Sequence, residues 1–573
     1  MAYATPAYFS IQQFGGIQQQ ADGTFLPVGS ARDARNCCTY DGDLKVAAGY
    51  TDYDTLNNTT LGNIPTDGVP LKLIPVKGKT HKFIAVCTDG IFTTSGTGGA
   101  WAKTLSFSPA LATDEQIDYV QMQIGTTEYV VVATGATRMY KVAVESLGTA
   151  PAVFGTGATS YSGVVSAYDS DTLVVTLTPN LDDEAQRHAL IDGIVVAGNN
   201  YLACEAASAT GVILKETPET APVATQTCTI RGGGSNVDTN FITRYGGRLF
   251  AAGDPNAPSR LYWSQVPGDG RSVEDWLSAD ASSDASGGYV DIGDEKGDCI
   301  VGLCGLPNQI VIFKKYSTWR LVGDRPSTFS VDCVERDSES MSNASVVIRY
   351  GQPYWLTRSG LWAYSYDAGV GPADNGVRYL REFFGMTGYN SSRSKGCHAD
   401  NRMYFTCTES GSLVDDAVIE YDLGTGSIMV RDGFHVYDLC VLDGRMYMIA
   451  DKGSDPVTYK VVQFNVGESY DGDPIRAYWY GQPSDMGMKF VKKQVREIHA
   501  RCGRGNMQVL VKADELGWMR PRLTWETPES GYIAVPVRID NARVISIGFE
   551  NIAGSQFWIR GGINVEFERV QKP

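Results

Sequence analysis

The sequence has no apolar run approaching the about 18 residues that a membrane-crossing helix needs. Its opening, Met1 to Gly16, lacks the basic end and apolar stretch of a secretory signal, so the expectation is a chain made and kept inside a cell. Cationic charge is scarce. Lys and Arg number 49 against 65 Asp and Glu, a formal −16, which excludes a general basic surface for gripping nucleic acid but leaves room for a local patch. Histidine is rarer still: five, at 81, 188, 398, 435 and 499, with no two at HxH or HExxH spacing, so a zinc site would need ligands assembled from distant segments. The 12 cysteines form no paired CxxC framework, which leaves buried, reduced thiols as the reading. No GxSxG elbow, Walker A loop or strand-borne GxGxxG occurs; Gly78-Lys79-Thr80 has the end of a P-loop but Leu73 where the first glycine belongs.

What is present in quantity is turn and strand material: 63 Gly, 24 Pro and 30 Tyr in 573 residues, with few long helical patterns. One layout recurs seven times: an apolar strand, a Gly, Asn or Asp turn, a second apolar strand, then a third that often carries Trp or Tyr. The copies run Leu71 to Phe107, Ile117 to Val144, Phe241 to Trp263, Ile300 to Val334, Val346 to Tyr366, Cys397 to Val430 and Tyr437 to Phe464. Meanders spaced at about 35 to 45 residues predict a β-propeller, since one blade alone cannot bury its faces. The predicted fold is therefore all-β, a propeller of about six to seven blades, with Ala31 to Tyr50 available to supply a closing strand. Two stacked sandwiches are the alternative.

Pro151 to Asn240 differs in character, with 3 Lys/Arg against 10 Asp/Glu, a clean alternation at Leu173, Val175 and Leu177, and a short helical candidate over Asp182 to Asp192. It reads as a small inserted β domain projecting outward. After Phe464 and the Glu468-to-Pro474 linker, alternation at Ile533, Val535, Val537 and Ile539, and again at Ile545, Ile547 and Phe549, predicts a C-terminal β-sandwich. The division is thus 1–150 for the N-terminal segment and first blades, 151–240 for the insertion, 241–466 for the remaining blades and 474–573 for the sandwich. From Gly481 onward the charge is +4, leaving −20 for the rest.

Chemistry is hard to find. Asp182-Asp183-Glu184, Glu335 with Asp337, and Asp415-Asp416 are carboxylate neighbours, but adjacency in sequence does not set the separation of about 5 to 10 Å that glycoside hydrolysis requires. Asp169-Ser170-Asp171 and Asp471-Gly472-Asp473 begin like calcium loops and lack the later glycine and glutamate. The one basic concentration is Lys489, Lys492, Lys493, Arg496, Arg501 and Arg504, a candidate for docking on an acidic protein face or for contact with DNA backbone. Phe490 is the aromatic residue among them, too little for a single-strand stacking platform. Catalytic, cofactor and metal residues are not assigned, and no cofactor is expected.

Phe14-Gly15-Gly16-Ile17, Pro27, Ser30-Ala31-Arg32-Asp33-Ala34-Arg35-Asn36, Asp41-Gly42-Asp43-Leu44-Lys45 and Gly49-Tyr50 together resemble the start of structural proteins of tailed bacteriophages. Tyr245-Gly246-Gly247-Arg248-Leu249-Phe250, Arg260-Leu261-Tyr262-Trp263-Ser264, Glu274-Asp275-Trp276, Tyr289-Val290-Asp291-Ile292-Gly293, Phe313-Lys314 and Trp319-Arg320-Leu321-Val322-Gly323 follow in an order similar to β-propeller tail hub or tail nozzle proteins of short-tailed phages, the packaged-DNA stabilisation type included. The resemblance implies a non-enzymatic virion tail protein, assembled in the host cytoplasm. Its implied partners are further copies of itself in a ring, expected to be a hexamer, portal and adaptor rings, tail fibre or spike proteins, and genomic DNA passing through without sequence specificity. It implies no membrane span.

Two rivals belong to other classes. One is a carbohydrate-binding or glycan-cleaving propeller, such as a tail-borne depolymerase or a sialidase-like enzyme. Tyr262-Trp263-Ser264 is similar to the YWTD propellers but occurs once, and Ser282-Ser283-Asp284-Ala285-Ser286 departs from the sialidase Asp box at the glycine. The other is a scaffold propeller for host proteins, expected to stay monomeric.

Overall fold

In the computed structural model, the residues described are 6–570 apart from 20–25, 78–82, 95–98, 136–138, 156–159, 183–186, 188–189, 191–193, 198–199, 216, 219, 232–236, 269–271, 277–283, 294–296, 368, 374–379, 452–456, 504, 515, 520–523 and 527–530. Gly78-Lys79-Thr80, most of the helical candidate at Asp182 to Asp192 and the Ser282 end of the Asp-box-like run fall outside them. The protein is all-β, of the β-propeller class, and its chain divides into two compact units: 65–97 with 101–344, and 1–64 with 98–100 and 345–573. No helix among the described residues is long and apolar enough to cross a membrane.

The first of these units holds four of the expected meanders, each a four-stranded antiparallel sheet in sequential order. They begin at Pro70–Pro75, Asp118–Ile124, Phe241–Tyr245 and Ile300–Leu306. Two of their second strands, Phe83–Cys87 and Gln309–Lys314, are buried at every position, as a strand covered on both faces must be. Tyr245 pairs with Arg248 across a two-residue turn whose Gly246 and Gly247 have φ of 56° and 78°, the double positive φ that a tight hairpin requires. Arg248 is buried, and its guanidinium donates to the carbonyls of Ser264 (2.8 Å) and Ser286 (2.6 Å), pinning the loop that follows the third strand.

Within the same unit the insertion is a closed six-stranded barrel running from Ser160–Asp169 to Thr227–Arg231. Val175 and Leu177 point into its core beside Tyr161, Val212 and Ile230, while Leu173 takes a positive φ of 56° at the turn and is only partly buried. Closure removes the exposed edges that a lone small sheet would present.

The other unit carries the remaining three meanders and the sandwich. One meander is Val347–Arg349 through Gly369–Pro372. The next two share a single long strand, Ile428–Leu442. Its first half pairs with Asp415–Asp422 and its second with Arg445–Asp451, and Gly433, at φ 90°, makes the bend between them. The last meander is completed by Tyr50–Asp52 from the N-terminal region, antiparallel to Lys460–Phe464; of the Ala31 to Tyr50 segment expected to supply a closing strand, only Tyr50 takes part in it.

The sandwich is not built from the C-terminal region alone. Ala7–Ile11 and Leu44–Val46 pair with Trp558–Arg569, and Ala31–Arg35 pairs with Tyr478–Gly481. The first 46 residues therefore lie with the C-terminal sheets and not with the first blades. The physical reason is edge cover: Ile11, Leu44 and Val46 bury their side chains in the sandwich core with Ile498, Ile559 and Val565, at edges that would otherwise be unpaired.

Candidate functional site: a basic docking loop and a polar cavity

The motif residues of the opening segment act as stitches. Phe14 meets Trp479 edge-on at 5.0 Å, and the Trp479 indole donates to the Gly15 carbonyl at 3.1 Å. A Cβ on Gly16 would come within 2.5 to 2.7 Å of backbone atoms of Ile428, so only glycine lets the two backbones approach. Arg35 is buried and reaches Asp33 and Glu409, both at 2.7 Å, and Asp432 at 3.3 Å. Burial opposes its charge, but the surrounding carboxylates win and hold the guanidinium protonated. Asn36, at φ 53°, donates to Asp432 and to the Arg476 carbonyl and accepts from the Tyr470 hydroxyl.

Beside this network lies a cavity of about 690 Å³ lined by residues that include Glu409, Asp416, Asp432, His435, Tyr470 and Tyr478. Burial raises the Asp432 carboxyl above the ordinary carboxylate range, against the opposing pull of Arg35. Asp416 accepts from the Glu409 amide at 2.7 Å, while Asp415 is buried and accepts from Thr406 and Thr408. The Asp415-Asp416 neighbours thus face different partners, and Glu335 accepts from the amides of Arg336 and Asp337 as an ordinary turn. Asp169 likewise accepts from the Asp171 amide and the Thr172 hydroxyl.

The six basic residues do not form one patch. Lys489 and Lys492 are exposed on the turn before Lys493–Gly503. Lys493 is fully buried, which removes it as a contact residue: its ammonium donates to the carbonyls of Met488 (2.9 Å), Val491 (3.1 Å) and Arg543 (2.8 Å). Three acceptors satisfy the three donors of an ammonium, so this side chain is the internal post of the turn. Arg496 is held by Glu568 at 3.0 Å. Arg501 is exposed but eight strand residues away, roughly 26 Å from Lys493 at strand rise. Arg504 lies outside the described residues.

The turn has a feature that counting charges did not reveal. Phe490 is 89% exposed and has φ 64°, the left-handed region that a bulky residue rarely adopts. Asp485 fixes the approach by accepting from the Gly487 amide at 2.8 Å, and Met486 is buried beneath. A rigid turn therefore projects one aromatic ring between two lysines. The sequence signal was Phe490 itself, an aromatic residue in a polar, Gly-containing loop.

None of the 12 cysteines is in a disulfide; nine are buried, and Cys38, Cys299 and Cys333 are half-buried. Burial pushes the thiols of Cys87, Cys304 and Cys502 up to about 12.

No protein-family model matches this chain, and none of the curated proteins compared with it does. Among solved structures it is similar to exo-β-1,3-galactanase from Phanerochaete chrysosporium, at 10% identity over 58% of this chain and 95% of that one, with a TM-score of 0.23. It is similar to the CNH domain of AfRom2, at 8% identity, 71% and 98% coverage and TM-score 0.32. It is also similar to the Neurospora crassa Pan2 WD40 domain, at 9%, 74% and 95%, with TM-score 0.33. Likeness of this degree carries no argument about activity or partners.

Proposed function

We propose that this chain is a structural subunit of a virion tail, a nozzle or hub that forms a closed ring with its own copies, retains packaged DNA and channels it during ejection. The observation that carries this reading is the turn around Phe490. A strained, exposed aromatic ring between Lys489 and Lys492, mounted on the buried Lys493 post, gains nothing within its own chain and is suited to a neighbouring surface with an apolar socket and acidic rim. The stitching of the first 52 residues into the sandwich and last blade supports a mechanical role, because pulling on either end of the chain loads paired strands. The acidic balance of the rest of the chain suits a wall along which phosphate slides without sticking.

Imaging of particles assembled with and without the protein tests this. The expected result is a closed ring at the tail, with the Phe490 turn at a subunit contact. Particles of unchanged structure and DNA content in its absence would refute it.

The cavity favours a second reading, a glycan-binding or glycan-cleaving propeller. Carboxylates of Glu409, Asp416 and Asp432 beside the rings of Phe434, Tyr470 and Tyr478 form a lining suited to polyhydroxylated ligands. Cleavage of surface polysaccharide by the purified chain, lost in Asp432→Asn and Glu409→Gln, would decide for it.

A further inference from the structure

The face of the C-terminal sandwich turned away from its core carries a cluster that no histidine spacing in the sequence signals. Glu497 and His499 are two residues apart on Lys493–Gly503, and Glu566 on Trp558–Arg569 stands directly opposite Glu497 in the strand register. One ligand atom from each of the three lies within 4.8 Å of the others. From these positions we infer that Glu497, His499 and Glu566 form a site for a divalent transition-metal cation, with zinc as its reference occupant.

Three observations carry the inference. Two glutamates placed directly opposite each other across a strand pair repel, and this pair sits beside a register shift between Val495 and Glu497. The Nε2 atom of His499 is shielded from solvent and has no hydrogen-bond partner among the described residues. It stands 3.5 Å from the Glu566 carboxylate and 3.7 Å from that of Glu497, too long for hydrogen bonds. Those spacings match the edge of a tetrahedral ligand set: two ligand atoms each about 2.1 Å from a central ion lie about 3.4 Å apart. The mixed set of one imidazole and two carboxylates favours zinc, cobalt or nickel over calcium and magnesium.

The surroundings suit such a site. The Tyr8 hydroxyl donates to Glu566 at 3.2 Å, orienting the carboxylate from outside the ligand set, and its ring lies 6.3 Å from that of His499. Three protein ligands leave a fourth position for water. This inference is independent of the tail role proposed above, since it concerns a different face and needs no partner.

The test uses the full chain prepared without a polyhistidine tag, stripped with chelator and titrated calorimetrically with zinc chloride. The expected result is one zinc per chain, with magnesium and calcium failing to compete and cobalt giving the visible absorption of a tetrahedral site. His499→Ala and Glu566→Gln should abolish the binding, Tyr8→Phe should weaken it by about 10-fold, and His435→Ala should leave it intact. Circular dichroism and melting in chelator establish that each variant is folded; His499→Gln replaces His499→Ala if the latter is not. Zinc binding that is absent in the wild type, unchanged in the folded His499 variant, or matched by calcium would overturn the inference.

Discussion

Replacing Phe490 by glycine separates docking from folding. In the free chain the left-handed φ of 64° at this residue costs about 1 to 2 kcal/mol, which glycine relieves. Glycine also gives back about 0.4 to 1 kcal/mol through the freer unfolded chain. The net change in the stability of the isolated protein is therefore about 0 to 1.6 kcal/mol in favour of the variant, because an 89% exposed ring has little packing to lose. In the assembled state the same ring, buried in a neighbour, contributes about 1.5 to 3 kcal/mol per contact. Its loss weakens each contact by about 10- to 150-fold. Urea unfolding measures the first quantity. The second is read by adding purified protein to particles made without it and counting bound copies by electron microscopy against protein concentration. Unchanged occupancy would refute the docking role of the turn, and so would a loss of stability in the isolated chain as large as the loss of assembly.

Three further outcomes follow from the same structure. Lys493→Met leaves the carbonyls of Met488, Val491 and Arg543 without their donor; the expected loss is about 3 kcal/mol in urea unfolding, and an unchanged midpoint would show that the post is dispensable. Burial holds the Asp432 carboxyl above its unfolded value, so its contribution to stability is full below the unfolded pKa, about 3.9, and is lost as pH rises through the folded one. Asp432→Asn should remove that segment of the pH–stability curve, and a curve of identical shape would contradict the assignment. Iodoacetamide at pH 8 should label the half-buried Cys299 and Cys333 in the native protein and spare Cys87, Cys304 and Cys502, whose thiols are pushed to about 12; peptide mass spectrometry after a timed quench reads this directly.

The amino-acid sequence determined the local elements. Period-two alternation and turn residues such as Tyr245-Gly246-Gly247 were enough to place seven meanders and to mark the insertion as a small β domain, though not as a barrel, since a strand covered on both faces must be apolar throughout and a tight hairpin must have residues that accept positive φ. It also marked Tyr50 as the end of a segment able to close a blade. Only the tertiary structure decided which strands pair at a distance. That the first 46 residues join the C-terminal sheets depends on which edges are left open once the other strands have paired, and no local pattern records that.

The same holds for charge. Of the six neighbouring cations, the five described are a buried post at Lys493, an ion pair at Arg496, a distant Arg501 and two exposed lysines, because a strand turns alternate side chains to opposite faces and spreads neighbours along its length. Conversely, Glu497, His499 and Glu566 lie up to 69 positions apart and meet only because two strands run side by side in one register. Propensity and periodicity act within a few residues, whereas an ion pair or ligand set is fixed by pairing across the sheet.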